Sequence, residues 1–205
     1  MGHQAEGHRG FDGVGAEAVA RPRTLDLVRA LTPETVVPAL RGSFGRPYRY
    51  AEETETTQRM LPADDPHGAV AVAERQTAGR GRLGRTWTDS GLMLSVCLRP
   101  PPPVAAWPEL TLVAARAVAG AIGSEAEIKH PNDVLVDGRK VAGILAEASG
   151  RVVVGIGVNV NDTRWPGSGF VERDRLELLV EILERFEHGY DAWLAARAAG
   201  LPFVP

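Results

Sequence analysis

Apolar and polar positions follow two rhythms along this chain, a period of two in several short stretches and a period of three to four in longer ones. Ala69 to Glu74 reads Ala-Val-Ala-Val-Ala-Glu, a buried strand by composition, and Leu92 to Arg99 alternates as another strand. Pro100 to Pro103 end that strand, because proline cannot donate a ladder hydrogen bond. Beyond Pro108, residues Leu110, Val113, Ala114, Ala117, Val118 and Ala121 recur at helical spacing and predict a helix packed on the sheet. Asp133 to Val136 and Lys140 to Glu147 flank Asp137-Gly138, a pair suited to a tight hairpin turn with positive φ at both positions. Ser149-Gly150 marks a second turn, and Arg151 to Val160 predicts the next strand. Leu176, Leu179, Val180, Leu183 and Phe186 mark an amphipathic helix, with Trp193 and Leu194 on a further helical stretch. Its six acids and three arginines between Glu172 and Glu187 read as a solvated face.

Toward the N-terminus the rhythm weakens. Tyr48 to Glu53 predicts a strand, and short helical turns are expected at Thr24 to Leu31, Glu34 to Leu40 and Gln58 to Leu61. Residues 1–23 have no period and are expected to be a disordered tail. Strands joined by tight turns, with helices set before and after them, predict an α+β fold whose mixed, largely antiparallel sheet is covered by helices on one face. The expected organisation is a tail with short helices over residues 1–45 and one domain over 46–200.

Composition narrows the function classes. The chain has 205 residues, 44% of them hydrophobic, which suits one sizeable domain and excludes wholesale disorder. No apolar run reaches the roughly 18–20 residues of a membrane span. A net charge of -3 gives no global basic field for nucleic acid. The single cysteine, Cys97, fits a reducing, cytoplasmic setting, and no His or Cys spacing marks a metal site. Lys129 and Lys140 are the only lysines, so each stands out.

Four segments carry candidate chemistry. Gly79-Arg80-Gly81-Arg82-Leu83-Gly84-Arg85 contains a literal G-x-G-x-x-G, yet Thr86, Trp87 and then a strand follow. A dinucleotide loop needs a helix there, and no Gly-Lys-Ser/Thr completes a Walker loop. What remains is a loop whose arginines offer planar forks to carboxylate or phosphate while its glycines permit close backbone approach. It is expected to be mobile over residues 79–90 until a small anion joins it. Lys129-His130-Pro131-Asn132-Asp133 holds a lysine ahead of a rigid turn. Thr56, Thr57 and Gln58 lie at a strand-to-helix junction, suited to capping or to the polar end of a neutral ligand. Gly155-Ile156-Gly157-Val158-Asn159 puts glycines inside a strand, where another group approaches or a bulge forms.

Together these segments resemble the catalytic domain of biotin protein ligases, the biotin–acetyl-CoA-carboxylase ligases. The family's G-R-G-R-x-G-R is matched by Gly79 to Arg85, and K-W-P-N-D by Lys129 to Asp133 with His130 in place of tryptophan. D-G-R-K-V-A-G-I-L-x-E is matched by Asp137 to Glu147, and G-I-G-x-N-V-N by Gly155 to Asn161. The resemblance implies a fold like that of class II aminoacyl-tRNA synthetases. It also implies a two-step reaction in which ATP and biotin, with Mg2+, give biotinyl-5'-AMP, and biotin then passes to a lysine of a biotin carboxyl carrier domain of a biotin-dependent carboxylase. It implies Lys129 and Arg80 as catalytic. Biotin contacts are implied for Thr56, Thr57, Gln58, Gln76, Gly79, Arg80, Gly81, Arg82, Lys129 and Gly143. ATP or adenylate contacts are implied for Arg82, Arg85, Trp87, Lys129, Asn132 and Asn159.

The family's DNA-binding domain and C-terminal small β-barrel have no counterpart in these residues. No nucleic-acid or membrane partner is therefore expected, and the state is a monomer or homodimer. Two other functions compete with an active ligase: a non-catalytic biotin- or adenylate-binding remnant, and a lipoate–protein ligase.

Overall fold

A computed structural model describes residues 29–87, 91–163 and 166–202. The predicted tail and most of the expected helix from Thr24 lie outside them; Arg29 to Leu31, at that helix's end, are not helical. Seven strands form one sheet: β1 (Tyr48–Thr54), β2 (Val70–Gln76), β3 (Leu92–Leu98), β4 (Ala126–Lys129), β5 (Asp133–Val136), β6 (Arg139–Ala148) and β7 (Val152–Val158). Their order across the sheet is β1-β2-β3-β7-β6-β5-β4. Among the seven strands of the described residues, β1 and β2 run parallel and the other pairings are antiparallel. The hairpin from β5 to β6 turns at Asp137 (φ 51°) and Gly138 (φ 70°), both left-handed as that turn requires.

Alternation decides what each face does. Val70 and Val72 of β2, Leu92, Leu94, Val96 and Leu98 of β3, and Val152, Val154, Ile156 and Val158 of β7 form one buried apolar surface. Two helices cover it, α2 (Glu109–Ile122) and α3 (Arg175–Ala198), after a short first helix, α1 (Pro33–Val36). The opposite face carries Ala71, Ala73, Met93, Ser95, Gly155, Gly157 and Gly143, in register across four strands. All but Met93 are small or lack a side chain, so that face holds a hollow where the helix-facing one is filled.

Three expectations change here. Leu31, Val36 and Phe44 are fully buried in the main core, so the segment ahead of residue 46 belongs to the same domain from Leu31 onward. Strand β4 was not expected, because Ala-Glu-Ile-Lys is too short to show its alternation clearly. The two helical stretches at the C-terminal end are one continuous 24-residue helix, capped by Asp174, whose carboxylate accepts from the Glu177 amide.

The charged face of α3 is also not simply solvated. Arg175 pairs with Glu74 at 2.6 Å, Glu184 with Arg41 at 3.0 Å, and Glu181 with both Arg173 and Arg185. Glu187 accepts from the Ser43 hydroxyl and from the Ser43 and Phe44 amides, fastening the N-terminal segment to the helix. Burial pushes the Glu187 carboxyl up, but those hydrogen bonds outweigh it and hold its pKa below the ordinary value. A depressed folded pKa gives stability that is present above the unfolded value and lost as pH falls through the folded one. Glu187→Gln is therefore expected to cost about 1 kcal/mol in urea unfolding at pH 7. The gap from the parent should close as the pH drops below the carboxylate range; a gap independent of pH would contradict this.

Candidate active site

The hollow on the open face is floored by Gly155 and Gly157 of β7 and Gly143 of β6. Space there is tight, most of all at Gly157. A Cβ on Gly157 would overlap the Trp87 ring, and one on Gly143 would lie 3.0 Å from Trp87 Cζ3. A Cβ on Gly155 would meet the Gln58 amide at 3.2 Å.

One end of the hollow is polar and neutral. A single helical turn, Thr57 to Met60, follows β1 and brings Thr57 and Gln58 inward, both nearly fully buried with Thr56. The Thr57 amide donates to Gln76 Oε1 at 2.8 Å, and the Thr57 hydroxyl shares a hydrogen bond with Ser95 Oγ at 2.7 Å. Gln58 Nε2 donates to the Leu145 carbonyl at 3.1 Å. Buried hydroxyls and amides fixed in this way give directional recognition of a polar, uncharged group.

The other end is cationic. Loop residues 79–87 form a small hairpin in which Arg80 and Thr86 make an antiparallel bridge and Gly81 N donates to the Arg85 carbonyl at 2.7 Å. Leu83 (φ 58°) and Gly84 (φ 73°) make its tip. The rest of the segment expected to be mobile, residues 88–90, lies outside the described residues. Arg80 donates to Gln58 Oε1 at 3.2 Å and pairs with Glu147 at 2.7 Å. Arg82 donates to Asn132 Oδ1 at 2.9 Å, and Asn132 in turn donates to Asp133 and to the Ile144 carbonyl. Lys140 pairs with Asp133 at 2.7 Å, and its ammonium stands 5.6 Å from the Trp87 ring centroid. The Trp87 indole N–H is buried with no partner among the described residues. In this arrangement the central cavity is about 50 Å³. A groove of about 530 Å³ continues from it between the loop and Asn132, Asp133, Lys140 and Ser168.

The structure gathers Thr56, Thr57, Gln58, Gln76, Arg80, Gly81, Arg82, Trp87, Asn132 and Gly143 around this cavity, with Gly79 and Arg85 along the adjoining loop grooves. It does not gather Lys129. Lys129 ends the edge strand β4 and is exposed, and β5 lies between it and β6. Its cross-strand partner is Asp133, itself paired with Gly143, so Lys129 shares the open face with the cavity floor, its backbone about 10 Å from that of Gly143. Lys140 Nζ, by contrast, lies 3.1 Å from where a Gly143 Cβ would be. Asn159 is likewise set apart: it is 2% exposed, and its amide donates to the Gly169 carbonyl at 2.8 Å, bracing the segment that carries Ser168.

Ser95, Asp133, Lys140, Glu147 and Ser168 carried no expected role. Lys140 was visible as one of only two lysines, but simple alternation from Ala142 turns it toward the helices. Register pairs Val134 with Ala142 but Leu135 with Lys140, so Val141 is an extra residue on β6. That bulge rotates Lys140 onto the open face.

A helix-backed α+β sheet, with a glycine-floored hollow polar at one end and cationic at the other, defines a small-molecule site able to hold an anionic group beside a neutral polar one. The chain belongs to the biotin/lipoate A/B protein ligase family, whose profile matches residues 49–161. It is 46% identical over 114 residues to the biotin–[acetyl-CoA-carboxylase] ligase of Mycobacterium tuberculosis, covering 50% of this chain and 43% of that protein. It is 41% identical over 120 residues to the bifunctional ligase/repressor BirA of Bacillus spizizenii, covering 52% of this chain and 37% of that protein. The matches thus span less than half the length of these relatives. The Aquifex aeolicus biotin protein ligase solved with biotin and ATP superposes with a TM-score of 0.62 at 31% identity, covering 71% of each chain.

Proposed function

We propose that this chain activates biotin with ATP, forming biotinyl-5'-AMP and pyrophosphate, and transfers biotin to a lysine of a biotin carboxyl carrier domain. The observation that carries this reading is the convergence of Arg80, Arg82 and Lys140 on one end of a hollow whose other end is neutral and hydrogen-bonding. Biotin has that division, a neutral ureido ring at one end and a carboxylate at the other. The M. tuberculosis and Aquifex relatives, named for the same reaction or bound to its substrates, support it.

The residues divide the work by position. Thr56, Thr57, Gln58 and Gln76 hold the ureido ring, with Ser95 fixing the Thr57 hydroxyl. Arg80, Arg82 and Lys140 stand between the biotin carboxylate and the α-phosphate. Two like unit charges 4 Å apart repel by about 4 kcal/mol at an effective dielectric near 20, so cations there remove most of the cost of approach. The carboxylate oxygen attacks the α-phosphorus, the bond to the β-phosphate oxygen breaks, and pyrophosphate leaves. No protein nucleophile is needed. Gly79 and Gly81 let the loop close over the product, and closure keeps water from the mixed anhydride. Arg85, Trp87 and Asn132 line the nucleotide side. Asp133 holds Lys140 at the cavity, and Lys129, in register with Asp133 and Gly143 on the same open face, keeps the catalytic role that the resemblance implies. Among the described residues no cluster of three or more His, Cys, Asp or Glu side chains could hold a metal ion. Mg2+ therefore fits as a companion of ATP, held mainly by phosphate oxygens.

The test is incubation with ATP, biotin and an unmodified carrier domain, followed by intact-mass and peptide mass spectrometry. One biotin on one carrier lysine, dependent on both small molecules, is the expected result. Binding of biotin without modification would instead favour a binding remnant, and modification only with lipoate would favour a lipoate ligase.

A further inference from the structure

A second groove, about 390 Å³, lies beside the central cavity. Its walls are Val104, Trp107 and Pro108 ahead of and at the start of α2, Pro131 in the turn before β5, and the β6 segment Ile144 to Ala148. It shares Arg82, Ile144 and Leu145 with the cavity, so the two adjoin at these residues. Most of the wall is apolar, and Val104 is 58% exposed, an uncovered hydrophobic side chain beside the mouth. One carboxylate lies on it, Glu147, which also borders the space under the glycine-arginine loop.

From this we infer that the groove is the access path for the acceptor lysine and that Glu147 receives its ammonium. The inference rests on the ligase reading above. A lysine side chain is a four-carbon apolar stem ending in a cation, and the groove offers apolar walls with a carboxylate where it meets the cavity. Glu147 reaches the site because Gly143, Leu145 and Glu147 alternate onto the open face of β6, with Gly157, Gly155 and Val153 opposite them on β7. In the empty site Glu147 is held by Arg80. An adenylate anion competes for Arg80, and Glu147 is then released toward the groove. Transfer follows in balance: the lysine nitrogen bonds to the acyl carbon of biotinyl-adenylate, the bond from that carbon to the phosphate oxygen breaks, and AMP leaves as an anion. The ammonium first gives one proton to the Glu147 carboxylate, which passes it to solvent and leaves a neutral amine to attack; the second proton, shed by the nitrogen as the amide forms, leaves by the same route. Free lysine titrates near 10.4, so an amine that must lose a proton gains most from a receiving carboxylate at neutral pH.

The experiment compares two nucleophiles on enzyme-bound biotinyl-adenylate formed in a single turnover, the carrier lysine and hydroxylamine, which is already neutral at pH 7. For Glu147→Gln the ratio of carrier transfer to hydroxylamine capture is expected to fall at least tenfold, with the deficit shrinking as the pH is raised from 7 to 9. Glu147→Asp should recover part of the ratio. If Glu147 only holds Arg80, both nucleophiles slow together, the ratio is unchanged at every pH, and the inference is overturned. Pyrophosphate release by the unmodified chain, measured in the same samples, separates this outcome from failure of the ligase reading, in which no adenylate forms.

Discussion

Lys140→Ala is expected to lower biotin-dependent pyrophosphate release by about 10²–10³-fold, the loss seen when one preorganised group stabilising developing charge is removed. Lys140 Nζ stands over the glycine floor, paired with Asp133 at 2.7 Å and facing the Trp87 ring. Its removal leaves Arg80 and Arg82, both already engaged, by Glu147 and Asn132, to balance two approaching anions. Lys129→Ala is expected to lower the release by a similar factor, because Lys129 stands in register with Asp133 and Gly143 on the open face and its long side chain extends toward the same anions. Steady-state pyrophosphate release checks it, with circular dichroism confirming that both variants fold. Activity unchanged in either variant would overturn the role assigned to that lysine.

Gly157→Val is expected to abolish ligand binding while leaving a folded protein. A side chain here overlaps the Trp87 indole and rises from the middle of the cavity floor. The open face is not the helix-packed core, so overpacking acts on the site before it acts on the fold. At least a hundredfold loss of biotin affinity, about 2.7 kcal/mol, is the expected size. Isothermal titration with biotin measures it, and thermal unfolding tests the fold. The comparison with Gly155→Val is informative, because a side chain there meets the Gln58 amide at the polar end rather than the indole. That variant should also lose biotin, without moving Trp87.

Much of this architecture is legible in the sequence because the sheet is two-faced. Val-Ala-Val-Ala in β2 and Leu-Met-Leu-Ser-Val-Cys-Leu in β3 state in their alternation which side faces the helices. The glycine-arginine loop, the Thr-Thr-Gln turn and the strand glycines were recognisable by composition, and they do meet at one cavity. What escaped depends on geometry that one-dimensional spacing does not carry. Strand order puts Lys129 on the edge strand, in register with Asp133 and Gly143, an alignment the motif spacing does not show. A single bulge turned Lys140 the other way. Ser95 looked like an ordinary small residue in an alternating strand until Thr57 was brought against it by a separate turn. The charges of α3 resembled a solvated face because their partners, Arg41 for Glu184, Ser43 for Glu187 and Glu74 for Arg175, lie at sequence distances no periodicity reports.

The most direct test of the whole account is ATP–pyrophosphate exchange with this chain alone, measured with biotin, with lipoate and with neither. Exchange that appears with biotin and is absent without it is the predicted result. No exchange with either acid, or exchange with lipoate and not biotin, would contradict the assignment of this site to biotin activation.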